Sequence, residues 1–533
     1  MTFTGEHAMK KLKKLAALLL AVVMTMAMNM TVFAADAPTY TLTLNGTTEG
    51  HTYEAYQIFS GNLNDSTLSN VEWGSGVNST KTSALLKALK ADDTLKATFS
   101  DVKDAASVAE ALAKASEDDP VAKEFATVVS QYLSKTPTGS ENSVKDTTST
   151  AIKGLAAGYY LVKDKDDSLD TTKQDSYTRF ILRVVKDTTA NLKNGVPTVT
   201  KKVKDTNDSK ANSTTDWQDS ADYDVNDSVP FQITGTMPSN IADYTTYTYK
   251  FTDTMTKGLT YNKDAVIKVY SGDSDTTGTA VSKDAFTEVA ATDPTTGVTT
   301  VTWTCTNLKA ISDANGQAIT IDANTKVVVE YSATLNENAV IGAAGNENKV
   351  NLTYSNNPNK GSDGNTGKTP DDKNKVFTYK VVVNKVDQDK QSLAGAAFKL
   401  EKKQSDGTYK EVKSFTAGEE TTFKFDRLDD GDYKLTETTT PAGYNTINPI
   451  EFTIDATHDT TEDDPQLTEF TVTKIDNFSA DKETGSVNAT IVNKKGSVLP
   501  STGGVGTHMF YVFGGCLVAA AVVLLTLKKR REA

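Results

Sequence analysis

A lysine, a carboxylic acid and an asparagine held together in apolar surroundings can form a covalent bond, and this sequence prepares that trio twice. In one set Lys385 alternates with Val381 and Val383, Glu437 with Tyr433 and Leu435, and Asn493 with Ala489 and Ile491. Period-two alternation puts each group on one face of a strand, and the apolar companions make that the core face. Left alone in a core, each polar group would be costly. Together they can react. Burial lowers the pKa of a lysine and raises that of a carboxylic acid. A neutral amine can then attack the asparagine Cγ while protonated Glu437 polarises the amide oxygen and passes the protons on. Ammonia leaves, and a Lys385–Asn493 isopeptide bond remains. In the second set Lys201 alternates with Val199 and Val203, Asp253 with Tyr249, Phe251 and Met255, and Asn348 with Val350, Leu352 and Tyr354. Lys202 is the neighbouring rival, and strand phase favours Lys201. Each acid would act once, within its own fold, so none of this is turnover catalysis.

The elements that must position these groups are strands. Residues 35–195 open with Tyr40–Leu44 and return through Tyr159–Val162 and Phe180–Val184, with a helical insertion between them. There Asp119-Pro120 supplies an N-cap and a first-turn proline, and Phe125, Val128, Val129, Tyr132 and Leu133 form one apolar face. Residues 196–358 alternate as strands. Residues 359–375, dense in Asn, Gly, Ser, Asp and Pro, are expected to form a linker. Residues 376–498 alternate again. About 460 residues suit three domains of roughly 150 each. The fold class expected is all-β, with tandem immunoglobulin-like β-sandwiches in an elongated stalk. The stretch Leu428–Glu437 aligns without gaps on Leu155–Asp164, so related modules repeat, and Asp164 takes the acid position in the first. Its opening strand carries no lysine and its 180–185 strand no asparagine, so no isopeptide is expected there.

Composition narrows the function. Lys plus Arg number 56 against 69 Asp plus Glu, a net charge of −13, which argues against nucleic-acid binding. Four histidines outside any ligand-like cluster suggest neither a metal nor a cofactor site, while the Asp-rich loops leave calcium open. Cys305 lies in the alternating run Val301–Cys305, a core position rather than a nucleophile's. The other cysteine, Cys516, falls in an apolar tail, so no internal disulfide is expected to hold the exported body.

Both ends carry addressing signals. Four lysines between Met9 and Lys14 precede an apolar run to Met30 and then Val32-Phe33-Ala34, a secretory signal over residues 1–34 with cleavage after Ala34 or Ala35. At the other end, within 499–533, Leu499-Pro500-Ser501-Thr502-Gly503 precedes an apolar run from Met509 to Leu527 and then Lys528-Lys529-Arg530-Arg531. Nineteen residues at about 1.5 Å each reach roughly 28 Å, enough to cross a bilayer core, and the cations hold the tail inside. This order resembles the sorting signal of Gram-positive surface proteins, which implies that a sortase cleaves between Thr502 and Gly503.

The resemblance extends inward. Tyr433–Thr438 with Pro441-Ala442-Gly443-Tyr444, and Asn493-Lys494-Lys495-Gly496, resemble the collagen-adhesin B-type domains of Gram-positive pilins. Asp253–Thr260 and Asn348–Ser355 resemble the isopeptide-forming middle domain of SpaA-type major pilins. The resemblance implies a shaft subunit, joined through Thr502 to a lysine of the next copy and finally to peptidoglycan. Its implied partners are pilus-type and housekeeping sortases, further copies, minor pilins and peptidoglycan, while host or microbial surface ligands stay open. In that family the acceptor lysine ends the first domain. Here Lys193-Asn194 matches, without the usual Tyr-Pro before it, and Lys186 is the rival. A monomeric wall-anchored adhesin is the competing expectation.

Overall fold

The computed structural model describes residues 38–115, 120–192, 195–358, 364–473, 475–496 and 505–531. The signal peptide, Lys193 and the pentapeptide Leu499–Gly503 lie outside the described residues. The fold is all-β: three two-sheet sandwiches follow one another along the chain, each around its own apolar core.

In the first sandwich, strand Thr39–Asn45 lies between Ser149–Ala156 and Thr188–Asn191, facing a sheet built on Thr52–Asn64, Gly158–Asp164 and Arg179–Val184. The Thr52–Asn64 strand is buried on both faces over much of its length because a second layer of helices covers its outer side. Those helices are Thr82–Ala91, Lys96–Phe99, Ala105–Leu112 and Pro120–Ser130. Pro120 begins the last of them, and Phe125, Val128 and Val129 face inward, as their spacing requires.

The middle sandwich sets Val199–Val203, Ser228–Thr236 and Thr325–Leu335 against Tyr249–Met255, Thr299–Cys305 and Asn346–Ser355. Cys305 is buried beside Tyr249 in register, and burial pushes its thiol up to about 11, which suits a core position. Part of the stretch expected to link domains is strand instead. Thr366–Lys368 and Asp372–Phe377 both pair with Asn346–Ser355. The polar composition suggested a loop, but Asn374 and Val376, both fully buried, give the second strand a core face.

In the third sandwich Tyr379–Asp387 pairs in parallel with Ser486–Asn493, and the facing sheet is centred on Gly431–Thr439. Gly342 and Gly485 meet where the middle and third bodies touch, with φ of 89° and 56°, and a Cβ on Gly485 would stand 2.6 Å from the Gly342 Cα. Beyond them a helix, Val505–Arg531, contains a 23-residue segment from Met509 long and apolar enough to cross a membrane, ending on four cations.

Candidate functional site

The middle trio is assembled across the two sheets. Lys201 comes from the edge strand of one sheet, while Asp253 and Asn348 sit diagonally on adjacent antiparallel strands of the other. All three side chains are fully buried. Lys201 Nζ donates to Asp253 Oδ1 at 2.5 Å. Burial lowers the lysine and raises the acid, each against the pull of the other. Lys202, one residue on, turns outward and pairs with Asp219. Of the two lysines, Lys201 is therefore the one the fold brings to the acid.

A fourth group joins them. The Tyr331 hydroxyl donates to Asp253 Oδ2 at 2.7 Å and accepts from Lys201 Nζ at 2.6 Å and from Asn348 Nδ2 at 2.8 Å. Burial, reinforced by Asp253, holds this phenol protonated. It links amine, acid and amide in one network. Tyr331 looks like plain core in the sequence, alternating with Val327 and Val329. Asn374 was also missed. It pairs opposite Asn348, is fully buried, and neither of its amide atoms has a hydrogen-bond partner among the described residues. It is thus a second buried amide near the same lysine strand.

The third sandwich builds its trio differently. Lys385 and Asn493 lie on adjacent parallel strands, two registers apart, and Glu437 reaches across from the facing sheet. Lys385 is 1% exposed, and its Nζ donates to the carbonyls of Val386 and Ile491 at 3.1 and 3.2 Å. Burial lowers its pKa, opposed by the charge of Glu437. Asn493 Nδ2 donates to both Glu437 oxygens at 3.0 and 3.1 Å. The Oδ1 atoms of Asn348 and Asn493 are both buried without a donor among the described residues. An amide's nitrogen and oxygen exchange places by a half-turn, so either amide atom of Asn493 can face the Glu437 carboxyl. With Oδ1 turned toward it, that carboxyl occupies the polarising position that amide attack needs.

The first sandwich places Asp164 at the aligned position, also fully buried, but histidine answers it. His51 Nδ1 lies 2.7 Å from Asp164 Oδ1, and Nε2 lies 2.9 Å from Asp175 Oδ2. Burial opposes charge on the ring, yet the two carboxylates outweigh it and raise its pKa to about 9. Both ring nitrogens then donate. Lys163, the preceding residue, points to Asp166 and Glu54.

Known proteins share several stretches of this chain. Residues 225–358 match the Gram-positive pilin backbone subunit 2, Cna-B-like domain; residues 379–466 the SpaA prealbumin-like fold domain; and residues 491–533 the LPXTG cell wall anchor motif. The matched domains are those of a Gram-positive pilin backbone and its cell wall anchor. The chain is 26% identical over 440 residues to the trypsin-resistant surface T6 protein of Streptococcus pyogenes serotype M6, spanning 71% of this chain and 75% of that one. Its fold is shared with the T6 backbone pilin structure, with a TM-score of 0.52 and 17% identity over 87% of this chain and all of the other. The major pilin SpaD of Corynebacterium diphtheriae aligns with a TM-score of 0.46 and 18% identity, over 86% of this chain and 98% of that one. The pilin is a subunit of a sortase-polymerised pilus, anchored to the cell wall, whose precursor spans the membrane transiently. Sortase, peptidoglycan and other pilin subunits are its partners.

Proposed function

We propose that polymerisation joins Thr502 of one copy to Lys193 of the next, and that Lys201–Asn348 and Lys385–Asn493 isopeptide bonds brace the body. A sortase cysteine attacks the Thr502 carbonyl, and the chain from Gly503 onward departs as an amine. The Lys193 amine of another copy then attacks the thioester, freeing the thiol and leaving an amide. Transfer to a peptidoglycan precursor ends the fibre. Asp253 and Glu437 act once each, so the chain is a substrate and a structural element, not a turnover enzyme. The units are residues 35–195, 196–358 and 376–498, freed of the signal peptide at 1–34.

The observation that carries this reading is the match of residues 491–533 to the cell wall anchor motif, which contains the pentapeptide. Lys193 is supported by its surroundings. Leu192 is tied to Asn45 through its backbone, and Gly195 packs closely on Ser239, so the intervening stretch joins the first sandwich to the middle one. Connections between domains are where an incoming acyl-enzyme finds acceptor amines. Lys186, exposed in the turn before Thr188, is the alternative acceptor.

Immunoblots of wall extracts test the reading. The wild type should give a high-mass ladder, and Lys193→Arg should leave only monomer joined to the wall, since guanidinium is a poor nucleophile. A ladder that survives Lys193→Arg but vanishes in Lys186→Arg would move the acceptor to Lys186.

A further inference from the structure

Where the middle and third sandwiches meet, folding gathers carboxylates from distant stretches. Asp205 and Asp222 follow the Lys201 strand, Asp429 and Asp430 form the turn before the Glu437 strand, and His458 closes the next strand. Ligand atoms of Asp222, Asp429 and Asp430 lie within 4.8 Å of one another, as do those of Asp205, Asp222 and His458. Much of this interface is satisfied. Lys402 Nζ contacts Asp224 at 2.6 Å and Asp429 Oδ2 at 2.8 Å, and Ser220 Oγ contacts His458 Nδ1 at 2.6 Å.

Two carboxylate oxygens of the cluster are not. Asp222 Oδ2 and Asp429 Oδ1 accept no hydrogen bond among the described residues, although their residues are 2% and 1% exposed. The Tyr379 hydroxyl, buried beside Asp222, is the neighbouring donor, its pKa raised by burial and by that carboxylate, but without a hydrogen bond of good geometry among the described residues. A buried carboxylate oxygen with no donor is costly, and three acids packed together repel one another. Lys402 already serves Asp224 and the other oxygen of Asp429, so it cannot also satisfy these two.

We propose that Asp222, Asp429 and Asp430 hold a divalent cation, of the calcium class, that clamps the middle sandwich to the third. An all-oxygen carboxylate set selects a hard cation, and calcium accepts irregular oxygen shells completed by carbonyls or water. His458 Nε2, 3.6 Å from Asp222 Oδ1 and 3.7 Å from Asp205 Oδ2, orients these carboxylates from behind rather than supplying a zinc-type ligand set. The clamp uses no residue of either isopeptide trio and stands independently of that reading. It fixes the angle between two sandwiches, which decides how stiffly a fibre of such subunits carries load.

The full chain in detergent, stripped with a chelator, is titrated with Ca²⁺ alone by calorimetry, with hydrogen exchange read in parallel. One calcium per chain is expected, with a dissociation constant of about 10⁻⁴ to 10⁻³ M, the range of extracellular modules. Exchange should slow in peptides containing Asp222 and Asp429-Asp430. Asp222→Asn and Asp430→Asn should each weaken binding by about tenfold or more, while Asp293→Asn, in an exposed loop, should change nothing. The exchange pattern of the unaltered chain decides the matter even if a variant misfolds. No calcium uptake, protection elsewhere in the chain, or unchanged affinity in folded Asp222→Asn and Asp430→Asn would overturn the proposal.

Discussion

Lys201 Nζ and Asp253 Oδ1 meet at 2.5 Å with neither side chain reaching solvent. An ion pair so placed loses the hydration of both charges, and its attraction need not make up the loss. Burial acts on both partners in the direction of proton transfer, lowering the amine and raising the acid. Proton transfer between them would give a nucleophile beside a proton donor, next to an amide. In the third sandwich the buried Lys385 meets the same need, with Glu437 already on the Asn493 amide.

If both trios react, the intact mass of the body should fall short of its sequence by two ammonias. Asp253→Ala should restore one and Glu437→Ala the other, because an unpolarised amide resists attack. An unaltered mass in the wild type would refute both bonds.

Tyr331→Phe removes only the hydroxyl that ties Lys201, Asp253 and Asn348 together. The sandwich should still fold, and the middle bond should form more slowly than in the wild type, followed by mass after expression. Fragment sequencing also separates the two buried amides: Asn348→Ala should abolish the middle bond and Asn374→Ala should leave it. The opposite pattern would make Asn374 the acceptor.

Both trios were legible because strand phase carries a polar residue inward with its apolar neighbours, so Lys201, Asp253 and Asn348 could be placed from alternation alone. Tyr331 could not be told from core, because a tyrosine among valines has the pattern of packing. Asn374 was hidden by a composition typical of loops, and only pairing with Asn346–Ser355 gives its strand an inner face. The His51–Asp164 contact spans 113 residues and the interface acids span more than two hundred, separations over which local pattern holds no information. Of the helical layer, the Pro120 helix was marked by its proline and apolar face, whereas Thr82–Ala91 and Ala105–Leu112 passed unnoticed.

Each isopeptide would close a loop of over a hundred residues. In a disulfide, loops of that size contribute about 4–5 kcal/mol through the unfolded state. Lys385→Ala and Asn493→Ala should therefore melt well below the wild type and lose trypsin resistance. Equal melting temperatures would show that the bond is absent or immaterial.

His51 gives the first sandwich a pH dependence of its own. Its pKa rises from 6.5 to about 9 on folding, because the attraction of Asp164 and Asp175 exceeds the cost of burying its charge. A raised pKa stabilises the folded state fully below 6.5, and that contribution is lost as pH climbs through 9. Hydrogen exchange in the Thr52–Asn64 strand should accelerate across that window beyond its intrinsic increase, and His51→Gln should remove the excess. A profile identical in the variant would contradict the charged bridge.

The most direct test of the account is peptide mapping of pili released from the wall. The account predicts a branched tryptic peptide in which the Thr502 carbonyl is amide-bonded to Lys193 Nζ, with no cleavage after Lys193. Thr502 found only on peptidoglycan fragments, or on a lysine other than Lys193, would contradict it.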